Sequence, residues 1–325
     1  MGPHPAVAEV RRAVRAALPT EGRVLVACSG GADSLALAAA TAFECRDRAA
    51  ALITVDHGLQ PGSADQAAAV AAIGHELGFD PVEIVPVTVG VDGGPEAAAR
   101  VARYAALDAA AAALDATVLL GHTLDDQAET VLLGLGRGSG PRSIAGMRPV
   151  DGRYRRPFLG VRRATTQAAC DALGLTPWHD PHNADPAYQR VRLRRDVLPL
   201  LEDVLHGGVA EALARTAALT QADLDALDAL AAGISRDSAT LDVAALKGQP
   251  QAIRTRVLRA WALSGGAAPL TATHIAALDA LVAGWHGQGP VDLPGGFAVR
   301  RASGRLHLQR TPRAPGAQPR TSTEE

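Results

Sequence analysis

The stretch that decides the fold is Ser29-Gly30-Gly31-Ala32-Asp33-Ser34, which follows an apolar run at residues 23–28 and precedes a helical pattern at residues 34–42. Glycine lets the backbone approach a ligand closely and adopt positive φ angles. The free N–H groups and the dipole at the start of the following helix attract an anion. A strand, a glycine turn and a helix in this order predict a cradle for the phosphates of ATP. In this cradle Ser29 and Ser34 offer hydroxyl groups, and Asp33 holds Mg²⁺.

The loop differs from the other common phosphate-binding loops. The motif G-x-x-x-x-G-K-[ST] needs a lysine beside the phosphates, and the single lysine of the chain is Lys247, far from this loop. The dinucleotide-binding motif G-x-G-x-x-G is also absent at this place. The pattern SGGxDS instead resembles the PP-loop of the ATP pyrophosphatases, and this resemblance implies that ATP is split into AMP and pyrophosphate.

Length and composition indicate a helix-rich protein of two domains. The chain has 325 residues, of which 47% are hydrophobic and 3% aromatic, so its core must consist mainly of Ala, Val and Leu. We predict a catalytic domain at residues 1–200, a helical linker at 201–234, a small α/β domain at 235–310 and a disordered tail at 311–325.

The first 200 residues alternate between short apolar runs and helical patterns, which indicates an α/β fold with a doubly wound parallel sheet. We predict strands at residues 23–28, 51–55, 82–87 and 117–121 and helices at residues 34–42, 64–77 and 95–114. Further along, we predict helices at residues 209–232, 251–263 and 271–283 and a β-hairpin at residues 297–308 that turns at Ser303-Gly304.

Polar residues follow three of the predicted strands. They are the glycine loop, then Asp56-His57-Gly58, then Gly121-His122. Because ligands bind at the carboxyl ends of the strands in such sheets, we expect these residues to meet at one edge. His57 is predicted to contact the nucleotide, although a structural hydrogen bond would explain a histidine at this strand end equally well. The same two interpretations apply to His122.

The segment at residues 121–130, Gly-His-Thr-Leu-Asp-Asp-Gln-Ala-Glu-Thr, places three acids at the start of a helix. Thr123 and Asp126 fit a capping box, which is a purely structural explanation. The functional interpretation is that Asp125, Asp126 and Glu129 form an acidic cluster beside ATP. Such a cluster can hold Mg²⁺, bind an amine or take a proton from one.

Two groups of arginines indicate contacts with phosphate. Arg100 and Arg103 share one face of the helix at residues 95–114, where they can neutralise a departing pyrophosphate, although an ion pair of Arg100 with Glu96 explains the spacing as well. Residues 137–196 contain twelve arginines and five acids, although the net charge of the whole chain is −2. A basic segment in a near-neutral protein is typical of a polyanion-binding surface, with a solvated charged face as the alternative.

Several blocks in a fixed order resemble the tRNA(Ile)-lysidine synthetases, and the resemblance extends over residues 22–200. The blocks are SGGADS at 29–34, VDHGL at 55–59, Glu96-x3-Arg100-x2-Arg103-Tyr104, GHTLDDQAET at 121–130, RGSG at 137–140 with AGM at 145–147, RPFL at 156–159, and Asp180-x2-Asn183 before Arg190. The shorter C-terminal part resembles the family mainly in position and size, which implies a short form with one small C-terminal domain that contacts tRNA.

The resemblance implies a ligase that uses ATP and Mg²⁺ with L-lysine as co-substrate. The enzyme adenylates the C2 oxygen of the wobble cytidine in an isoleucine tRNA with a CAU anticodon. The ε-amine of lysine then attacks C2 and releases AMP, so that the product pairs with A instead of G and is read as isoleucine rather than methionine.

The site residues follow from matching this sequence to the family pattern. Residues 29–34 and His57 would bind ATP, with Asp33 also as the Mg²⁺ ligand, and either Asp125 or Asp126 would position and deprotonate lysine. The expected catalytic residues are Asp33, Arg100, Asp125, Asp126 and Arg190. The expected tRNA-binding residues are Arg103, Arg137, Arg142, Arg192, Arg194 and Arg195.

Three other functions are weighed against this one. A tRNA thiolase shares the PP-loop but needs a persulfide cysteine or a C-x-x-C pair, and Cys28, Cys45 and Cys170 are scattered. An amidotransferase-type ligase for a small metabolite would not need the arginine-rich segment. A catalytically inactive RNA-binding module would not need Asp33 or the acidic helix.

The sequence favours a cytoplasmic protein. No apolar run reaches the ~18 residues that a membrane span requires, and the N-terminus lacks the pattern of a signal peptide. Unpaired cysteines fit a reducing compartment. The helix at residues 209–232 suits either a linker or a dimer face, so the oligomeric state is left open.

Overall fold

A computed structural model describes residues 2–58, 60, 62–90, 94–138, 140–178, 185, 188–234 and 239–311, without the side chains of Pro95 and Glu96. The predicted tail beyond residue 311, as well as Asp180 and Asn183, lies outside the described residues. The chain forms two compact units, residues 1–220 and 221–325. No helix among the described residues is both long and apolar enough to cross a bilayer.

The N-terminal unit contains a six-stranded sheet with the order β3-β2-β1-β4-β6-β5. Neighbouring strands are parallel except for β5, which runs antiparallel to β6. The strands are β1 Arg23–Ala27, β2 Ala50–Asp56, β3 Val82–Pro86, β4 Ala116–Leu119, β5 Val150–Asp151 and β6 Tyr154–Arg155.

Helices connect these strands and continue beyond the sheet. They are α1 Pro5–Ala17, α2 Ala32–Glu44, α3 Ser63–Glu76, α4 Pro95–Leu114, α5 Leu124–Arg137, α6 Pro141–Ile144, α7 Arg163–Leu173, α8 Gln189–Arg192, α9 Leu198–Val204 and α10 Val209–Ala232. A 3₁₀ turn at Pro157–Gly160 precedes α7, and a π-helical turn at Leu193–Val197 joins α8 to α9. The division between the two units falls within α10.

The central strands are apolar throughout because helices cover both faces of the sheet. In β1, Val24 and Val26 pack in one core cluster with α1, α2 and α7. Leu25 and Ala27 point to the opposite face and pack against α4. The sequence prediction of a doubly wound, mainly parallel sheet is therefore confirmed.

Several elements of this unit are additions to the predicted ones, among them the helices α6, α7, α8 and α9. Helix α1 buries Val7, Val10 and Val14 against the rest of the unit. The β5–β6 hairpin adds an antiparallel edge, and its strands of two residues each are too short to give a periodic pattern in the sequence. The predicted strand at residues 117–121 ends earlier, at Leu119, which leaves Gly121 and His122 in the loop before α5.

The C-terminal unit contains a separate antiparallel sheet, with the order β7-β10-β9-β8. Its core surrounds the fully buried Trp261 and includes Leu241, Val299 and Leu306 from the sheet. The predicted hairpin is confirmed, with β9 and β10 paired on either side of Ser303-Gly304. The elements are β7 Thr240–Asp242, α11 Val243–Lys247, α12 Gln251–Ser264, α13 Ala272–Ala283, β8 Val291–Leu293, β9 Phe297–Ala302 and β10 Arg305–Arg310.

Candidate active site

The candidate site lies where the direction of strand order reverses in the N-terminal sheet. Strand β1 pairs with β2 on one side and with β4 on the other, so the connections leave β1 and β4 in opposite directions. Ligands bind at such a switch point, outside the carboxyl ends of the strands. The glycine loop follows β1 and the acidic helix α5 follows β4, so the sheet brings the two sequence motifs to one edge.

The glycine loop has the conformation that its sequence predicts. Gly30 has a φ of +84°, and a Cβ atom at this position would lie 2.5 Å from Nε2 of Gln66. The backbone therefore requires glycine here. Ser34 is buried, and its Oγ accepts from the Ser29 N–H at 3.1 Å and donates to the Gly31 carbonyl at 2.9 Å. Gly31 caps α2 without a side-chain hydrogen bond, as a helix start that binds phosphate requires.

A cavity of about 310 Å³ opens beside this loop. Its walls include Ser29 and Gly31 from the loop, His57 after β2, Arg103 from α4 and Trp178. The backbone N–H of Trp178 donates to the Gly30 carbonyl at 2.9 Å, which attaches the segment after α7 to the loop. The position of the cavity, its polar walls and one cationic side chain suit a nucleotide.

Two histidines at this edge have a buried Nδ1 atom with no hydrogen-bond partner among the described residues, namely His57 and His122. Burial lowers the pKa of both rings, and the positive charge of Arg103 lowers it further. Both rings are therefore neutral near pH 7. A buried polar atom without a partner is costly and is often satisfied by a ligand, so the ring of His57 is available to the nucleotide.

The acidic helix begins with the capping box that the sequence predicts. Oδ2 of Asp126 accepts from the Thr123 N–H at 2.7 Å, and Oγ1 of Thr123 accepts from the Asp126 N–H at 3.3 Å. The cap uses Oδ2 of Asp126, so the second oxygen of Asp126 and the carboxylate of Asp125 have other partners. The other Asp126 oxygen bonds to Arg163, and Asp125 forms an ion pair of 3.0 Å with Arg162. The capping box is thus confirmed, and the functional interpretation of this segment stays a prediction.

Arg163 links the glycine loop to the acidic helix. Its Nε lies 3.5 Å from Oδ2 of Asp33, and its Nη2 lies 2.5 Å from Oδ1 of Asp126. Its Nη1 lies 3.4 Å from Oε1 of Glu129, whose side chain is completely buried. A second hydrogen bond of the loop carboxylate comes from the hydroxyl of Thr166, which is also buried.

The buried Glu129 has a second cationic partner. Nε of Arg194 lies 2.9 Å from Oε1 of Glu129, and Nη2 of Arg194 lies 3.7 Å from Oδ1 of Asp126. Arg194 belongs to the π-helical turn, and such wide turns are frequent at functional sites. Four carboxylates, Asp33, Asp125, Asp126 and Glu129, therefore face the guanidinium groups of Arg162, Arg163 and Arg194.

The two central carboxylates have pKa values that are shifted in opposite directions. For Asp33 burial dominates and raises the pKa, although Thr166 and Arg163 oppose the shift. For Asp126 burial also acts upwards, but Arg163, the hydrogen bonds from Thr123 and the neighbouring His122 bring the pKa below its usual range. Asp126 is thus held as a carboxylate, whereas the ionised form of Asp33 would gain from a further cation.

A magnesium ion fits Asp33 only together with substrate phosphates. Among the described residues, no group of three or more His, Cys, Asp or Glu side chains is arranged to hold a metal. Mg²⁺ commonly binds to one or two carboxylates while phosphates and water supply its other ligands. Asp33, at the first turn of α2 beside the glycine loop, offers such a carboxylate.

The predicted arginines fall into different surroundings. Arg103 lines the cavity beside the glycine loop, which is called the nucleotide cavity below because its walls suit a nucleotide. Arg100 is exposed and lies over the Tyr104 ring at 4.8 Å. A second cavity, of about 680 Å³, has Arg137, Arg190 and Arg192 in its wall. Arg142 and Arg195 are exposed at other positions, and Arg194 points to Glu129.

The segment that follows α5 is attached to that helix. Nε2 of Gln127 donates to the Met147 carbonyl at 2.9 Å, and the Met147 N–H donates to Oε1 of Gln127 at 2.7 Å. Gly146, with a φ of +64°, leaves room for this amide, because a Cβ there would lie 2.7 Å from Oε1. The AGM block thus has a structural role in fixing the end of this segment.

Sequence reasoning did not identify Arg163 or Thr166 as site residues. Both lie just after the RPFL block, within a segment of twelve arginines in which no local pattern distinguishes Arg163. Its position at the start of α7, directly after the 3₁₀ turn, is known only from the structure. The contact that defines it joins residues 130 positions apart in the chain.

Two protein-family models match the chain, one in its N-terminal part and one in its C-terminal part. A PP-loop domain model matches residues 6–201, and a model described as the TilS substrate binding domain matches residues 241–307. The chain is 58% identical to a tRNA(Ile)-lysidine synthase of Thermobifida fusca, over 94% of this chain and 98% of that protein. It is 53% identical to a tRNA(Ile)-lysidine synthase of Streptomyces coelicolor, over 95% of this chain and 99% of that protein.

Among solved structures, the chain is similar to the U34-tRNA thiolase NcsA from Methanococcus maripaludis with its [4Fe-4S] cluster. The TM-score is 0.56 at 20% identity, over 66% of this chain and 80% of that one. At this identity the likeness concerns the fold alone. Two thiols contact the glycine loop, Cys28 at the Ser34 hydroxyl and Cys170 at the Ala32 carbonyl. Both cysteines are buried, and burial raises the pKa of both thiols, so neither offers a thiolate.

Proposed function

The chain belongs to the tRNA(Ile)-lysidine synthase family, and we propose that it joins L-lysine to C2 of the wobble cytidine in an isoleucine tRNA with a CAU anticodon. As a member of this family it is an ATP-dependent ligase that modifies tRNA. In the proposed reaction the C2 oxygen of the cytidine attacks the α-phosphorus of ATP and releases pyrophosphate. The ε-amine of lysine then attacks C2, the C2–O bond breaks, and AMP and one proton leave.

The observation that carries this proposal is the shared contact of Asp33 and Asp126 with Arg163. It means that the loop suited to ATP and the carboxylate suited to an amine are separated by one guanidinium group. An enzyme that activates a base with ATP and then adds an amine needs these two functions at one reacting carbon.

The residues around ATP have separate roles in the proposal. The backbone of residues 29–34 and the start of α2 bind the phosphates. Asp33 would hold Mg²⁺, which would supply positive charge to the phosphates. Arg103, in the wall of the nucleotide cavity, is better placed for a phosphate contact than for the tRNA contact predicted from the sequence. Arg100, one turn earlier and exposed, is assigned to the incoming tRNA or the leaving pyrophosphate.

The two neighbouring aspartates have different roles. We assign the ε-amine of lysine to Asp126, because Asp126 shares Arg163 with the loop carboxylate. Asp125 instead faces Arg162 and accepts from the backbone N–H of Arg163 at 2.7 Å, so it holds the start of α7. Asp126 orients the amine as a hydrogen-bond acceptor, and this carboxylate is also the nearest base for the proton that the amine loses.

The second cavity is the proposed entry for the anticodon. Arg137, Arg190 and Arg192 contribute to one wall, where they suit the phosphates that flank the reacting cytidine. Arg142 and Arg195 are exposed and would add contacts along the tRNA backbone. Because these contacts are with phosphates, tRNA binding is expected to depend strongly on salt. The carboxylates of the candidate active site supply the chemistry.

The experiment that tests the function measures transfer of radiolabelled L-lysine, with ATP and Mg²⁺, to a transcript of the CAU-anticodon isoleucine tRNA. Methionine tRNA with the same anticodon is the specificity control. Asp33→Asn removes one charge at the proposed Mg²⁺ site, and Asp47→Asn removes an exposed carboxylate elsewhere in the unit.

We expect transfer to the isoleucine tRNA, loss of transfer in Asp33→Asn and wild-type transfer in Asp47→Asn. Lysine-independent release of AMP together with tight tRNA binding would instead indicate a PP-loop enzyme with another nucleophile. Salt-dependent tRNA binding without AMP release would indicate an RNA-binding module.

A further inference from the structure

We propose that Arg163 is a positioning residue for lysine transfer, because one guanidinium group sets the distance between the ATP-binding loop and the carboxylate that receives the amine. The inference rests on the proposed function for the identity of the two substrates. It adds a residue with no counterpart among the site residues that the sequence predicts. The role is mechanical and electrostatic, since Arg163 bonds to groups of the protein.

Arg163 reaches both elements with separate nitrogen atoms. Nε faces Asp33 at 3.5 Å, while Nη2 faces Asp126 at 2.5 Å. A guanidinium group is planar, so fixing two of its nitrogens fixes the relative placement of the two carboxylates. Asp33 belongs to the first turn of α2 and Asp126 to the first turn of α5, and the contact therefore ties together the starts of two helices.

The position of Arg163 is itself fixed from outside its side chain. Its backbone N–H is the first of α7 and donates to Oδ2 of Asp125 at 2.7 Å. The residue before it, Arg162, caps α7 without a side-chain hydrogen bond, so the aspartate from α5 satisfies a helix start that otherwise has no cap. Three residues further on, the buried Thr166 hydroxyl contacts Asp33. The first turn of α7 thus bonds to Asp33 directly and to Asp125, the residue before Asp126.

The net charge of the carboxylates and arginines around Arg163 explains why Arg163 does not prevent a substrate cation from binding. Four carboxylates face three guanidinium groups, and Arg162 has a further carboxylate partner, Glu211, at 2.8 Å, so negative charge exceeds positive charge and favours a substrate cation. Glu129 is completely buried and contacts Arg163 and Arg194, so it anchors the far side of the Arg163 guanidinium. Arg163 itself is 25% exposed and Asp33 26%, and both therefore border the open part of the site.

The distance between the loop and the amine-binding carboxylate matters for the rate. Attack of an amine on an activated carbon requires the two reactants in a near-attack geometry, and a displacement of about 1 Å can cost roughly 100-fold in rate. A lysine at position 163 would keep the charge but would bind as a single point, without the fork that sets two distances. Charge and positioning can therefore be separated by substitution.

The test compares Arg163→Lys and Arg163→Gln with Arg15→Gln, which removes a largely exposed arginine from a bidentate pair with Glu44. Two readouts are measured on the full chain: the rate of lysine transfer to tRNA, and amide hydrogen exchange of the unliganded protein at residues 29–34 and 124–129. We expect both Arg163 variants to lose about 100-fold in transfer rate and to exchange faster in both segments. The strands β1 and β4 should stay protected, and Arg15→Gln should match the wild type in both readouts.

The proposal is overturned if Arg163→Lys transfers lysine at the wild-type rate, because charge alone would then suffice. It is also overturned if exchange in the two segments is unchanged, or if it rises equally in β1 and β4, since the latter is a general loss of stability. If the wild-type protein transfers no lysine, the proposed function fails. The exchange measurement still decides whether Arg163 ties the two segments together.

Discussion

In the C-terminal unit Arg254 bonds to a single carboxylate, Asp279, whereas in the N-terminal unit Arg163 is shared among Asp33, Asp126 and Glu129. The Arg254 pair is closed: Nε lies 2.5 Å from Oδ1 and Nη2 lies 2.9 Å from Oδ2. Both side chains are largely buried, with 11% and 9% exposed. Each charge has its partner, and the pair offers nothing to a ligand.

Arg163 differs from Arg254 because it does not neutralise all of its carboxylate partners. Its carboxylate partners outnumber it, and burial raises the pKa of one of them while another is held ionised. The lesson is that the number of carboxylates per arginine separates a structural pair from a functional cluster, even where the distances are alike. Three substitutions test this difference between Arg254 and Arg163.

The largest effect is expected in the closed pair. Arg254→Met leaves Asp279 buried without a counter-charge, and breaking a buried pair from one side costs about 3 kcal/mol or more in the free energy of unfolding. Denaturant unfolding followed through the buried Trp261 measures this in the C-terminal unit. The double variant Arg254→Met/Asp279→Leu should recover most of the loss, because it removes the unpaired charge. An additive double variant would contradict the description of this pair as closed.

The second effect is expected in the shared cluster and concerns activity. Glu129→Gln keeps the shape of the side chain but removes the charge that anchors Arg163 and Arg194, and we expect lysine transfer to fall about 100-fold. The matched control is Glu44→Gln, at the opposite end of α2 from Asp33, where the carboxylate bonds to Arg15. Steady-state transfer per folded molecule is the measurement. If Glu129→Gln lost stability with full activity, the cluster would be structural like the Arg254 pair.

The smallest effect is a dependence of stability on pH. The folded state lowers the pKa of His122 below its ordinary value of 6.5, mainly because the ring is buried. As the pH falls below about 6.5, the unfolded chain takes up a proton that the folded protein refuses. The contribution of His122 to stability is therefore complete well above this pH and is lost progressively as the pH falls below it, by at most about 1.4 kcal/mol per pH unit for one histidine.

Urea unfolding of the N-terminal unit at several pH values checks this slope. His122→Asn should flatten it, and the exposed His286→Asn serves as the control. An unchanged slope in His122→Asn would show that other titrating groups dominate the pH dependence of stability. The surroundings of His122, beside the carboxylates that share Arg163, would then resemble those of an ordinary surface histidine.

Much of the fold could be read from the sequence because its signals are local. An apolar run followed by Ser29-Gly30-Gly31 predicts a strand and a phosphate loop, since only glycine adopts the backbone conformation at Gly30 without a clash. The capping box of Thr123 and Asp126 lies within four residues, and the hairpin turn at Ser303-Gly304 within two. The strands β5 and β6 were not predicted, because two residues are too few to show a period.

The central strands, the glycine loop and the acidic helix start could thus be predicted from the sequence alone, and so could the arginine-rich segment at residues 137–196. The partner of each arginine could be assigned only from the packed structure: Arg163 bonds to Asp33, Arg194 to Glu129, and Arg103 lines the cavity beside the glycine loop. The physical reason is one of range. A turn or a cap is fixed by neighbours in the chain, whereas the partner of a long arginine side chain is whichever carboxylate the packing of distant helices brings within its reach.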